Sequence, residues 1–163
     1  MKEKASAKEV VEMLLHFTVA EPPHRQVIMS NLSYLDANQK AKIRDEIMFL
    51  DIVVFGSLME TEAVKNCWPT SERIFVGYLA SLKETLEITG GGFDGLLRSL
   101  EARWAAYKPV LQKPLNVARF EVGKTFATLG DIENDWVVEV AGTGEFVSVV
   151  NYFGGLVDRY EIN

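Results

Sequence analysis

Basic and aromatic side chains alternate between residues 98 and 124, a pattern that could bind an anionic small molecule. This segment holds six bases against two acids, a local charge of +4. An aromatic ring can stack on a planar ligand while a neighbouring cation contacts a phosphate or carboxylate. The candidate binding residues, in a pocket between helices, are Arg103, Trp104, Tyr107 and Lys108.

The same residues have a second interpretation, in which the aromatic rings belong to the core. Cations five residues apart are turned by about 140° around an α-helix, so they do not share one face. Trp104 and Tyr107 also fall on the apolar stripe of the helix that would carry them. Core aromatics with scattered surface charges therefore stay open as the alternative to a ligand site.

Other patterns that could do chemistry are incomplete. Glu9, Glu12 and His16 share one helical face, but a di-iron bundle needs Glu-x-x-His on two helices and further glutamates. Cys67 has no cationic pattern around it that would indicate a reactive thiolate, so we expect it to be buried and inert. The glycine-rich turn at 89–95 lacks the lysine of a phosphate-binding loop. The sequence therefore predicts no catalytic residue, no metal and no cofactor.

A pair of adjacent glycines, Gly154 and Gly155, lies inside an apolar stretch with helical periodicity. Each glycine costs a helix up to about 1 kcal/mol relative to alanine, so another interaction should offset the loss. We expect close helix approach at this pair, either within the fold or between two copies of the chain. Gly154 and Gly155 are thus the candidate interface residues, and they predict a homodimer.

Charge is concentrated at the end of the chain. The formal net charge is -6, and residues 131–163 account for all of it, with seven acids against Arg159 alone. This acidic balance argues against a nucleic-acid partner. The acidic segment is interpreted either as a solvated face or as a contact surface for a basic partner.

Apolar periodicity predicts helices at roughly 7–19, 36–60, 70–88, 94–108 and 114–129. Ser6 and the pair Asp36 and Gln39 are candidate N-terminal caps. Residues 136–150 are ambiguous, because β-branched residues around Gly142 would suit a hairpin while the apolar spacing favours a helix. We predict an all-α fold, a single domain over 1–163 with about six helices around the buried helix 36–60. The alternative is an α+β fold with a hairpin at 136–150.

The remaining features bear on location and function class. The longest uncharged stretch, 146–157, is shorter than the ~20 residues that span a bilayer, and no secretory leader is visible. With a single cysteine, these features predict a cytoplasmic protein that does not cross a membrane. The predicted function is a non-enzymatic interaction or regulatory module that binds a protein partner or itself. The alternative is a small-molecule-binding protein or enzyme with a pocket between helices.

Overall fold

The computed structural model describes residues 1–88 and 93–163, and within these ranges the chain is all-α, as predicted. Its helices are α1 (Ala7–Val19), α2 (Pro23–Asn31), α3 (Ala37–Met59), α4 (Glu62–Cys67), α5 (Ser71–Ile88), α6 (Phe93–Leu111), α7 (Leu115–Leu129) and α8 (Trp136–Arg159). The expected number of six helices was too low, because α2 and α4 are short and carry little periodicity. The hairpin alternative at 136–150 was wrong, since this segment lies inside α8.

Side-chain caps begin several of the helices. Ser6 accepts a hydrogen bond from the backbone N–H of Glu9, and the Glu9 carboxylate accepts one from the backbone N–H of Ser6. Asp36 and Gln39 make the same reciprocal arrangement at the start of α3. These capping boxes satisfy amide donors that have no partner inside the helix, which explains why both starts could be predicted.

Helix α3 is the centre of the molecule and packs against α1, α5, α6 and α8. Every residue from Phe49 to Gly56 is buried, which confirms the buried central helix predicted from its apolar residues on all sides. The buried apolar side chains of the described residues form one continuous cluster. The helices around α3 therefore share a single core.

Helices α7 and α8 pack closely, and the contact uses glycines other than the predicted pair. A Cβ added at Gly142 would lie 2.6 Å from Cβ of Phe126, and one at Gly123 would collide with the backbone carbonyl of Glu139. At Gly154 and Gly155 an added Cβ would meet nothing within 4 Å. The prediction that another helix approaches this pair closely within the fold was therefore wrong, because both glycines lie on the outer face of α8.

The two ends of the chain meet in a short parallel pair of strands. Strand β1 (Glu3–Ala5) pairs with β2 (Tyr160–Ile162), with Glu3 opposite Tyr160. The Arg159 guanidinium also contacts the Glu3 carboxylate at 3.1 Å.

Helix α6 continues to Leu111, so the expected end at Pro109 was wrong; the proline lies in the last turn.

Candidate functional site

Arg103 and Tyr107, two of the predicted binding residues, meet on a buried carboxylate of α3. Arg103 donates from Nε and Nη2 to Glu46 at 3.0 and 2.9 Å, and the Tyr107 hydroxyl donates to the other Glu46 oxygen at 3.0 Å. The Arg103 guanidinium also lies 4.6 Å from the ring centre of Phe49. Burial raises the pKa of Glu46, and Arg103 partly opposes this effect. These contacts join α6 to α3.

The other two predicted binding residues point elsewhere. Trp104 is half-buried and packs against Phe75, with ring centres 6.2 Å apart, and it covers the backbone of Gly56. Lys108 is exposed to solvent. The structure thus brings Arg103 and Tyr107 together through Glu46 and leaves Trp104 and Lys108 outside that cluster. Ligand binding by these four residues stays a prediction.

Cys67 was expected to be buried but is exposed, at the end of α4. The neighbouring Trp68 takes the buried position instead, with its indole Nε1 donating to the carbonyl of Tyr160 at 3.1 Å. The prediction of a buried Cys67 was wrong because the short helix α4 was not predicted. Its end places Trp68 in the core and leaves Cys67 at the surface. Of the glycine-rich turn predicted at 89–95, residues 89–92 lie outside the described residues.

A different set of residues forms an exposed apolar surface near the start of α8. Trp136 is 72% exposed and Val140, one turn later, is 59% exposed. Two adjoining grooves of about 460 Å³ each share Trp136 and Val137. We call these two grooves together the Trp136 surface; it comprises Ile28, Asn31, Tyr34, Ile132, Glu133, Asn134, Asp135, Trp136, Val137, Val140, Ala141 and Gly144.

The loop before α8 fixes the position of Trp136. Asp135 caps the helix by accepting from the backbone N–H groups of Val137 and Val138, at 3.0 and 3.2 Å. Asn134 adopts a left-handed backbone with φ 63°, which asparagine tolerates better than most residues. Trp136 therefore begins the helix on its outer face, opposite the stripe that carries Val138 into the core.

Tyr34 forms the second aromatic wall of this surface. It is 57% exposed, and its hydroxyl donates to Asp135 Oδ2 at 2.6 Å. Partial burial, together with the hydrogen bond and charge of Asp135, raises the pKa of Tyr34 to about 12. Tyr34 therefore keeps its proton at neutral pH, and this side of the groove presents a neutral ring beside a carboxylate.

The charges lining the Trp136 surface are negative. Glu133 and Asp135 both line the groove between Tyr34 and Trp136. Elsewhere in the acidic C-terminal segment, Asp131 pairs with Lys42 at 2.5 Å and Glu145 is buried. The acidic character foreseen from the sequence is thus carried in part by Glu133 and Asp135, next to two exposed aromatic rings.

A buried ionic cluster ties α2 to α3 and α8. Arg25 donates from Nε and Nη2 to Glu145 Oε1 at 3.1 and 3.0 Å, and Nη2 also donates to Asp51. His24 Nε2 donates to the second Glu145 oxygen at 2.9 Å. Asp51 and Glu145 have no exposed surface, so their carboxyl groups do not meet a substrate from solvent. The cluster anchors α2.

The pKa values of the two carboxyl groups in this cluster are shifted in opposite directions. Burial and the neighbouring charge of Glu145 raise the pKa of Asp51 well above its usual range, against the opposing effect of Arg25. Burial also opposes ionisation of Glu145, but hydrogen bonds from His24 and Asp51 and the charge of Arg25 outweigh it and lower its pKa. A proton in this cluster therefore favours Asp51 over Glu145.

The buried ionic cluster and the Trp136 surface were not predicted, although the sequence contains signals for both. Glu145 stands on the buried stripe of α8, between Ala141 and Val149, and Asp51 stands in the fully buried part of α3. A charge at a core position needs a buried partner. Trp136 and Val140 stand off that stripe, so a helical wheel of residues 136–159 would have placed them outside.

The described residues contain no group of three or more His, Cys, Asp or Glu that could hold a metal ion. Among the helices of the described ranges, none has the length and apolar character needed to cross a membrane. Comparison of the chain with models of known protein families, with curated proteins and with solved structures gives no match.

Proposed function

We propose that this protein is a non-enzymatic interaction module that binds a basic, partly apolar segment of a partner protein on the Trp136 surface. The single observation that carries the proposal is the 72% exposure of Trp136 between two grooves lined by apolar and acidic side chains. An exposed apolar patch rimmed by polar residues is typical of a protein interaction site.

Apolar contact supplies one part of the proposed binding energy. Trp is enriched among the few residues that dominate protein interfaces, because a large rigid ring loses little conformational entropy on burial. At ~25 cal/mol per Å² of buried apolar surface, covering a mostly exposed tryptophan contributes about 3 kcal/mol. The groove along Ile28 and Val140 can receive the apolar side chains that flank the contact.

The negative charge of the Trp136 surface favours a basic partner. A lysine or arginine placed over the Trp136 ring would gain a cation–π contact and would lie near Glu133 and Asp135. A second copy of this chain would bring the same carboxylates to the surface, so like charges would oppose self-association there. A basic segment is therefore the occupant that fits both the rings and the carboxylates.

The proposal is tested by fluorescence anisotropy with two labelled helical peptides, one of leucine and lysine and one of leucine and glutamate. We expect the leucine–lysine peptide to bind more tightly, with an affinity that falls as salt is added. Trp136→Ala should weaken this binding by about tenfold or more. Phe120→Ala is the matched control, because Phe120 is 58% exposed on α7, outside the Trp136 surface.

Either of two results would overturn the proposal. Equal affinity for the lysine and glutamate peptides would remove the role of Glu133 and Asp135. An equal loss of affinity for the leucine–lysine peptide in Trp136→Ala and Phe120→Ala would show that any exposed aromatic ring binds the peptide.

Two expectations from the sequence remain predictions. The homodimer rests on Gly154 and Gly155, which leave open space on the outer face of α8. The cytoplasmic location is supported by Cys67, an exposed free thiol, since such thiols persist in reducing compartments.

A further inference from the structure

A second cavity lies on another face of the molecule, between the C-terminal end of α1 and helices α2, α3 and α5. Its volume is about 300 Å³, at the lower end of the range for small-molecule sites. Its lining consists of Thr18, Val19, Ala20, Glu21, Arg25, Met29, Arg44, Ile47, Met48, Thr85 and Leu86. We call it the α3 cavity. None of these residues belongs to the Trp136 surface, so the two sites are independent.

The buried Arg25 fixes one wall of the α3 cavity. Its Nη1 donates to the backbone carbonyls of Thr18 and Ala20, at 2.7 and 3.0 Å. The rest of the guanidinium is occupied by Asp51 and Glu145. Arg25 therefore holds the end of α1 in place but has no donor left for a ligand.

Helix α3 provides the opposite wall. Arg44, Ile47 and Met48 stand at positions i, i+3 and i+4 and so share one helical face. Ile47 is buried while Arg44 is exposed, which places the apolar side chains inside the cavity and the guanidinium at its rim. Within the described residues Arg44 makes no ion pair.

We propose that the α3 cavity binds a medium-chain carboxylate, with the alkyl chain among Met29, Ile47 and Met48 and the carboxylate on Arg44. A volume of about 300 Å³ corresponds to about ten water volumes of ~30 Å³ each, and a chain the length of octanoate matches this size. Methionine side chains adapt readily to a flexible alkyl chain. A guanidinium pairs with a carboxylate through two parallel hydrogen bonds.

The rim also carries one acid, Glu21, which lines the cavity and is exposed. Its charge opposes a carboxylate and would favour an amine. The opposing signs of Arg44 and Glu21 make the chemical class of the ligand testable, because removing each charge should change octanoate affinity in opposite directions.

The test uses protein labelled with ¹³C at the methionine methyl groups and titrated with octanoate. Met29 and Met48 line the cavity, whereas Met59 is buried elsewhere and serves as an internal control. We expect saturable shifts of Met29 and Met48 at millimolar octanoate or below, with Met59 unchanged. Octan-1-ol and octylamine, of the same chain length, should bind more weakly.

Variants locate the charged contact. Arg44→Gln should weaken octanoate binding by about tenfold, and Glu21→Gln should strengthen it. Arg119→Gln is the matched control, because Arg119 is exposed on α7, which contributes no residue to the cavity lining. Absence of saturable shifts at Met29 and Met48 would overturn the proposal. Tighter binding of octylamine, or equal effects of Arg44→Gln and Arg119→Gln, would also overturn it.

Discussion

Single residues decide the balance of charge inside this protein. Arg25 is buried against two carboxyl groups, and only one of them, Glu145, needs to be ionised to neutralise it. Burial and the charge of Glu145 both oppose a second negative charge and raise the pKa of the other, Asp51.

The raised pKa of Asp51 predicts that the stability of the fold depends on pH. The folded-state pKa of Asp51 is raised above its ordinary value of 3.8, so its contribution is complete below that value and declines as pH rises. Asp51→Asn mimics the protonated group and should remove the decline. As pH rises above 3.8, the variant should therefore gain stability relative to the parent protein, by up to about 1.4 kcal/mol per pH unit until Asp51 ionises in the fold.

Urea unfolding at several pH values measures this difference. Asp158→Asn is the control, because Asp158 is exposed on α8 and its loss removes a surface charge alone. Parallel stability curves for Asp51→Asn and the parent protein would show that Asp51 is ionised in the fold.

Residue-level prediction from the sequence succeeded where the interaction is local. The caps at Ser6 and Asp36 join residues three apart, so spacing alone reveals them. The contact between Arg25 and Glu145 joins residues 120 positions apart. Trp136 and Tyr34 line one groove only because of how α8 packs. Such pairs depend on the fold, which residue spacing does not encode.

At the level of elements, small residues set the distance between α7 and α8. Gly142 faces the Phe126 side chain and Gly123 faces the backbone of α8, so neither position has room for a side chain between the two helices. Gly144, only two residues from Gly142, lies on a face with nothing within 4 Å of an added Cβ. Position on the helix, rather than residue type, therefore decides what each glycine contributes.

This contrast predicts opposite effects of the same substitution. Gly142→Ala should lower the free energy of unfolding by about 1–3 kcal/mol, because the new methyl group would overlap Phe126. Gly144→Ala should raise it by up to about 1 kcal/mol through better helix propensity. Chemical denaturation of the two variants compares them directly. Equal effects would contradict the close packing of α7 on α8.

The long helices could be predicted because each carries an apolar stripe over several turns. Helices α2 and α4 could not, since nine and six residues hold too little periodicity to separate a helix from an ordered loop. The strands β1 and β2 are three residues each and exist through pairing between the two ends of the chain. Short elements of this kind depend on tertiary contacts rather than on local pattern.

At the scale of the whole molecule, self-association is the expectation that follows from the outer face of α8. If Gly154 and Gly155 pack between two copies, light scattering should give twice the 18.3 kDa chain mass at high concentration. Gly155→Leu should then shift the protein towards monomer, because a large side chain would separate the helices. A monomer over about a hundredfold range of concentration would remove the homodimer prediction.

The central claim, that a basic partner binds at Trp136, is tested most directly by the three tryptophan indole N–H signals in an NMR titration. Trp68 is buried, Trp104 is half-buried against Phe75, and Trp136 is exposed. On addition of the leucine–lysine peptide, the Trp136 indole signal should shift saturably while those of Trp68 and Trp104 stay in place. A Trp136 signal that stays fixed at saturating peptide, or a shift at Trp104 instead, would contradict the claim.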